Sequence, residues 1–199
     1  MKDHFENKSK TWDMNSKRVK NAGAIADAII ANIELREDMK IADFGAGTGL
    51  LSYFVAPCVD TIVAIDNSPS MLEMFRIKCD EFECKTEVLH KDLSVDEIDE
   101  TYDGIISSMT IHHIANQEKL FDKMYGMIEE GGFIAIADLD KEDGSFHSDN
   151  EGVFHFGFER EVLEEIAQKA GFKNIHFETV SIIKKPQREF SVFLMSAYK

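Results

Sequence analysis

The stretch Asp43-Phe44-Gly45-Ala46-Gly47-Thr48-Gly49 has the residue types best suited to hold a ligand. Its three alternating glycines admit positive φ and let a bound group lie against bare backbone. Asp66 follows Gly47 by 19 residues and ends an apolar run, where a carboxylate can accept from both hydroxyls of a ribose. Asp92, in His90-Lys91-Asp92-Leu93, stands where a side chain can read an adenine amino group. The glycine spacing separates two ligand classes. A dinucleotide fingerprint, G-x-G-x-x-G, delivers a pyrophosphate to a helix N-terminus. Here the third glycine comes one residue early, at 49, and Leu50 stands where that fingerprint wants glycine. The loop also opens with an acid, Asp43, which suits a cationic amino-acid group better than a diphosphate. A tight turn without a ligand is the competing explanation, and Asp66 at its distance weighs against it.

Positioning these residues requires strands that end together. Val19, Ala22, Ala26, Ile29, Ile30 and Ile33 recur at helical spacing and predict an amphipathic helix over about residues 16 to 35. Lys40–Phe44 reads as a strand that feeds the glycine loop, and Leu50, Leu51, Phe54 and Val55 start a helix stopped by Pro57. Thr61–Ile65 is a continuous apolar strand of the kind buried on both faces of a parallel sheet. Ser68-Pro69 opens a helix with a capping hydroxyl and a proline at its first position. Strands are expected at Lys85–His90, Gly104–Ser107 and Phe133–Ala137, with a helix marked by Leu120, Met124, Met127 and Ile128 and ended by Gly131-Gly132. An acidic surface excursion covers residues 138 to 151, and a helix from about Glu159 ends at Gly171. Strands at about 175–183 and 189–198 have no helix between them and should pair as an antiparallel hairpin. Together these predict an α/β fold: a doubly wound, mostly parallel seven-stranded sheet (Rossmann-like), with the last strand antiparallel.

The 199 residues fit one domain. With 22 Lys and Arg against 37 Asp and Glu, the net charge of −15 argues against a nucleic-acid partner and against an anionic membrane surface. The first 20 residues run against this trend, with six basic and three acidic side chains, and form an arm able to dock on an acidic body. The polar start lacks an apolar signal core, and Cys58, Cys79 and Cys84 lack metal or redox spacing, so reduced thiols in a cytoplasm are expected. His112, His113, His147 and His155 with Asp138 and Asp140 could share one rim. Adjacent histidines diverge, however, and no pair has strong ligand spacing, so no metal site is expected.

The segments 43–50, 63–66, 90–93, 102–114 and 129–139 resemble the successive motifs of class I S-adenosylmethionine-dependent methyltransferases. They are most similar to small-molecule enzymes that resemble the ubiquinone/menaquinone biosynthesis methyltransferase. The resemblance runs from about residue 5 to 199 and includes an N-terminal lid-like segment with Trp12-Asp13. It implies one methyltransferase domain, with residues 1–35 as arm and lid helix and 36–199 as cofactor-binding core. It implies that Asp43 and the backbone of Gly45, Ala46, Gly47 and Gly49 face the methionine end of S-adenosylmethionine. Asp66 would hold the ribose, with Asn67 and Met71 near the adenine. Asp92 would accept from the adenine amine, Leu93 would pack beside it, and Ser108 would present backbone near the sulfonium. Trp12 would cap the cofactor by a cation–π contact. His112 and His155 are the candidate bases, since histidine suits proton removal at neutral pH, whereas His113 is expected to pack locally and His147 to be solvated. Phe146, Phe154, Phe156 and Phe158 suggest an apolar or aromatic acceptor. The product would be S-adenosylhomocysteine and the acceptor a small molecule, and a homodimer is compatible with the chain. A non-catalytic cofactor-binding module, a protein side-chain methyltransferase and a nucleotide-dependent oxidoreductase are the rival readings, the last opposed by Leu50.

Overall fold

The structure, a computed structural model, describes Asp3, Glu6 and residues 8–92, 94–186 and 188–199. Seven strands form one sheet: β1 (Lys40–Phe44), β2 (Thr61–Asp66), β3 (Lys85–His90), β4 (Tyr102–Ser108), β5 (Ile128–Leu139), β6 (Lys173–Lys184) and β7 (Glu189–Tyr198). Their order across the sheet is β3-β2-β1-β4-β5-β7-β6. The pairs from β3 to β5 are parallel, and β7 runs antiparallel to both β5 and β6. The sheet is thus mostly parallel with its last strand reversed, as the alternating pattern predicts.

The apolar runs explain which strands are central. β1, β2 and the second half of β5 are almost wholly buried because helices cover both faces, whereas β3 and β6 are edges and alternate in exposure. Helices α1 (Ser16–Asn32), α2 (Leu50–Val55) and α3 (Pro69–Ile77) bury Ile25, Ile29, Leu51, Val55, Leu72 and Phe75 in the core on one face. Helices α4 (Gln117–Gly126) and α5 (Arg160–Ala170) place Leu120, Phe121, Met124, Leu163 and Ala167 in the core on the other. Local chemistry sets the helix ends. Asn15 accepts from the Lys17 and Arg18 N–H groups, Ser68 from Met71 N–H and Asn116 from Lys119 N–H. Gly171, at φ 110°, closes α5 in the left-handed conformation.

Two expectations are corrected here. Gly131-Gly132 does not end the fourth helix, which stops at Gly126; β5 begins at Ile128 and the glycine pair lies within it. The reason is steric. A side chain at Gly132 would meet the Asp103 carbonyl oxygen at 2.5 Å, so the glycine permits β4 and β5 to approach. The first helix ends at Asn32 rather than near 35, because Ile33 turns extended to enter the core. Among the described residues no helix is long and apolar enough to cross a membrane.

Gly104 of β4 lies opposite Phe133 of β5, and a Cβ there would come within 2.3 Å of the phenylalanine ring. Gly104→Ala should therefore overpack the sheet and cost about 1–3 kcal/mol. Urea unfolding reads this directly, with a lower midpoint and an unchanged slope; an unchanged midpoint would mean that the ring moves aside freely.

Candidate functional site

The strand order reverses between β1 and β4, and it is outside the carboxyl ends of such strands that open α/β sheets bind ligands. The loop after β1 turns there into α2. Its three glycines all have positive φ, but for different reasons. Side chains on Gly45 and Gly49 would strike Thr110 at 2.2 Å and Phe75 at 2.7 Å, so protein packing alone demands glycine at both. At Gly47 the only atom near an added Cβ is the Gly45 carbonyl oxygen at 4.0 Å. Gly47 therefore presents bare backbone to open space, the position where a ligand can lie close.

Two acids flank this backbone. Asp66 ends β2, and its carboxylate accepts from Gly47 N–H and Ser68 N–H, each at 2.8 Å. Those bonds fix the carboxylate across the loop and leave further lone pairs, while burial raises its pKa. Asp43 ends one residue earlier on β1, is 1% exposed, and accepts from Ser52 Oγ at 2.5 Å. Burial lifts its pKa to about 7, against the opposing Ser52 hydrogen bond, with the Asp66 charge adding to the rise. Such a carboxyl is held ready for a cation, which would restore its ionised form.

The N-terminal arm packs over this end. Asp13 accepts from Thr48 Oγ1 at 2.5 Å and pairs with Lys78, and Asp3 accepts from Ser68 Oγ at 2.8 Å and Ser70 N–H at 3.1 Å. Trp12, expected to cap the cofactor, has the Arg18 guanidinium over its ring, 3.7 Å from the centroid. Asp13, its neighbour, is the arm residue that reaches the glycine loop.

On the other side of β1, β4 ends at Ser108, and Met109 follows with φ 56°, a left-handed conformation that is uncommon for a residue with a side chain. This turn delivers His112, which is 1% exposed, onto Asp138 near the end of β5, which is 0% exposed. Asp138 Oδ1 accepts from His112 Nδ1 at 2.7 Å and from Leu139 N–H at 2.7 Å, and Oδ2 accepts from His112 N–H at 3.2 Å. With the carboxylate accepting throughout, the ring proton sits on Nδ1 and the lone pair on Nε2. His112 Nε2 is buried and has no hydrogen-bond partner among the described residues.

The excursion after β5 folds back here. Its feet are tied by Arg160 gripping Asp140 through two 2.7 Å bonds and by Phe158 N–H donating to Leu139 O at 2.9 Å. His147, expected to be solvated, instead packs its ring 5.0 Å from that of His112 and 5.8 Å from that of His113. His113, expected to pack or bond locally, reaches Gly152 O, 39 residues on, through Nδ1 at 2.7 Å. His155 bonds Ala115 O through Nε2 at 3.2 Å, and its backbone N–H donates to His112 O at 3.2 Å. Its Nε2 is thus a donor to a carbonyl, which braces the His112 turn and leaves Nδ1 as the acceptor of the neutral ring. The phenylalanine cluster divides: Phe158 is core, Phe146 packs on Phe190 and His147, and Phe154 and Phe156 are exposed.

The remaining candidates are distributed as follows. Ala46 is buried beside Gly47, Met71 is buried in the first turn of α3, and Asn67 is exposed with its carbonyl bonded to His90 Nε2. Ser108 is half-buried, and its carbonyl accepts from Thr110 Oγ1 at 3.1 Å. Asp92 spends Oδ1 on its own turn, accepting from Ser94 N–H at 3.0 Å and Ser94 Oγ at 2.6 Å, which leaves Oδ2 for any outside donor. Leu93 lies outside the described residues. Among the described residues no group of three His, Cys, Asp or Glu is arranged to hold a metal ion. Sequence reasoning missed Asp138 as the partner of His112, Ser52 as the partner of Asp43, and His147. The signal for Asp138 was present, since it is the first polar residue after the apolar run 133–137.

Comparison with known proteins gives a family. The family model described as a methyltransferase domain matches residues 18–177. An uncharacterized methyltransferase of Schizosaccharomyces pombe is 27% identical over 175 residues, which is 79% of this chain and 60% of that protein. The chain therefore spans about three-fifths of that relative's length. Among solved structures, the Haloferax volcanii complex containing the Trm112 methyltransferase activator superposes with a TM-score of 0.77 at 16% identity, covering 100% of this chain and 98% of the matched one. Phosphoethanolamine N-methyltransferase 2 of Haemonchus contortus, solved with phosphomonomethylethanolamine and S-adenosylhomocysteine, superposes at 0.70 and 16% identity, covering 93% and 57%. At these identities the structures share the fold.

Asp43 makes a pH prediction. Its folded pKa of about 7 exceeds the unfolded value of 3.8, so its contribution is fully present below the unfolded value and is lost as pH rises toward and through about 7. Asp43→Asn should remove this loss and stabilise the ligand-free chain at pH 8 by up to about 4 kcal/mol relative to wild type, with little change at pH 4. Urea midpoints across that range decide it; parallel pH profiles for the two proteins would contradict the buried-carboxyl account.

Proposed function

The chain belongs to the methyltransferase domain family, and from that premise we propose that it transfers a methyl group from S-adenosylmethionine to a small-molecule acceptor. The observation that carries the reading is the pairing of two differently built halves across one switch point. On one half stand the open Gly47 backbone, the fixed Asp66 carboxylate and the buried Asp43. These fit a ligand with a ribose diol and a cationic amino-acid end. On the other half His112 is held by Asp138 with its Nε2 lone pair free.

In this reading Asp66 accepts from the ribose hydroxyls and Asp43 balances the cationic amino-acid end. The backbone at 45–49 and Ser108 lies along the cofactor, with Asn67, Met71 and Asp92 toward the adenine. The cofactor supplies an electrophilic methyl on a sulfonium, so the protein's work is to align the acceptor, exclude water and take its proton. His112 is the base, and Asp138 positions it and stabilises its protonated form. Residues 1–35 act as a lid over the core at 36–199, a role supported by the Asp13–Thr48 and Asp3–Ser68 bonds. The finer resemblance, to the small-molecule group around the ubiquinone/menaquinone enzyme, rests on the sequence motifs. The aromatic-lined His112 corner favours a small acceptor, while the acidic surface is compatible with a lysine or arginine side chain as well.

Transfer of label from methyl-labelled S-adenosylmethionine into fractions of a cell extract tests this reading. Label should enter the dialysable fraction; label confined to precipitated protein would move the acceptor to a side chain, and no label in either would favour a non-catalytic module. His112→Ala should lower the rate by about 10²–10⁴-fold with cofactor affinity unchanged. Equal rates would remove His112 from the chemistry.

A further inference from the structure

His112 is not alone in its corner. Among the described residues, the Nε2 atoms of both His112 and His147 are buried and without a hydrogen-bond partner, on rings 5.0 Å apart. Buried polar atoms are nearly always paired, so two orphaned imidazole nitrogens from different segments in one corner point to a ligand that completes them. The two nitrogens differ in what they offer. His112 has its proton fixed on Nδ1 by Asp138 and can only accept at Nε2. His147 has no such carboxylate partner, and its Nε2 is free to carry the proton. One acceptor and one donor are what a single hydroxyl group needs.

Resting on the methyl-transfer reading above, we propose that His147 is a second acceptor-binding residue, and that the acceptor presents a hydroxyl, which donates to His112 Nε2 and accepts from His147 Nε2–H. On reaction the oxygen lone pair forms the O–CH3 bond while the carbon–sulfur bond of the sulfonium breaks with its electron pair to sulfur. The hydroxyl proton ends on His112 Nε2, and the negative charge developing on oxygen is met by the His147 N–H. Because both nitrogens are sealed, the acceptor enters when the His147 end of the excursion lifts between its tied feet at Asp140 and Phe158.

The surroundings favour a hydroxyl over an ammonium acceptor. Burial, with His112, His113 and Lys185 adding to it and Asp138 opposing, pushes the His147 pKa down to about 4, so the ring is neutral at pH 7. Lys185 stands close by, donating to Phe146 O and lying 4.1 Å from the Phe146 ring. A corner that expels the imidazolium proton, lies beside an ammonium and must face a sulfonium is unfavourable for another cation. Glu142 is buried on the same excursion, and its Oε2 accepts from the Ser145 and Phe146 N–H groups.

The test uses the full chain with S-adenosylhomocysteine, titrated with phenol, and reads the imidazole nitrogens by two-bond proton–nitrogen correlation. Phenol should shift Nε2 of both His112 and His147 together, with His147 protonated at Nε2, and toluene should shift neither. His147→Phe should weaken phenol binding roughly tenfold, with S-adenosylhomocysteine affinity unchanged, and His147→Gln, which restores an N–H, should recover part of the loss. A shift at His112 alone, no phenol shift at either ring, a His147 proton on Nδ1 in the complex, or full phenol affinity in His147→Phe would overturn the proposal. Benzylamine shifting both rings more tightly than phenol would also overturn it. Failure of S-adenosylhomocysteine to bind wild type is a separate result that sinks the methyl-transfer reading itself.

Discussion

Parallel strands that end together leave side chains at their carboxyl ends inside the protein's edge, and in this chain three of those ends carry aspartate. Asp43, Asp66 and Asp138 terminate or nearly terminate β1, β2 and β5. Burying a carboxylate is expensive unless hydrogen bonds or a counter-charge offset the loss of water. Each is met differently. Asp66 is satisfied by two backbone N–H groups of the neighbouring turns, and Asp138 by two backbone N–H groups and an imidazole. Asp43 is met by Ser52 alone, mainly through its hydroxyl, and burial still lifts its pKa to about 7. The position of every functional loop follows from which groups must come to these carboxylates.

That constraint also divides the site chemically. The glycine loop and the start of α3 turn in toward Asp66, which builds a surface for a polar, partly cationic ligand. The Met109 turn and the 3₁₀ segment Ile111–His113 bend toward Asp138, which fixes an imidazole in one tautomer. The left-handed Met109 backbone is the local cost of that bend, of a kind that persists where surrounding structure over-determines it. Thr110 of the same turn packs on Gly45, so the two halves are in direct contact and their relative placement is rigid.

The frame was legible in the chain because it rests on local periodicity. Apolar runs of strand length, the Ser68-Pro69 helix start and the Gly171 stop each act through near neighbours, and they specify the strand and helix order. The glycine loop and Asp66 were legible because each carries its own local mark, a glycine triplet after one strand and an acid at the end of the next, with α2 between them. What was not legible depends on contacts between distant segments. His112 and Asp138 are 26 residues apart, and although Asp138 stands out as the first polar residue after an apolar run, its pairing with His112 shows only once β4 and β5 lie side by side. His147 sits in an acidic, polar stretch that reads as a solvated face, and ties between distant residues, Asp140 with Arg160 and Leu139 with Phe158, fold it inward. Gly131-Gly132 reads as a helix stop by composition, whereas its role is to let two strands approach.

The central claim is that the Asp43–Asp66 half of the site is built for a cofactor with a cationic amino-acid end and a ribose. Calorimetric titration of the protein with S-adenosylmethionine at pH 7, in two buffers of different ionisation enthalpy and with NADH as the control, tests it most directly. The account predicts micromolar binding of S-adenosylmethionine, no binding of NADH, and release of part of a proton per site as the cation draws Asp43 into its ionised form. Binding without proton release, or preference for NADH, would contradict it.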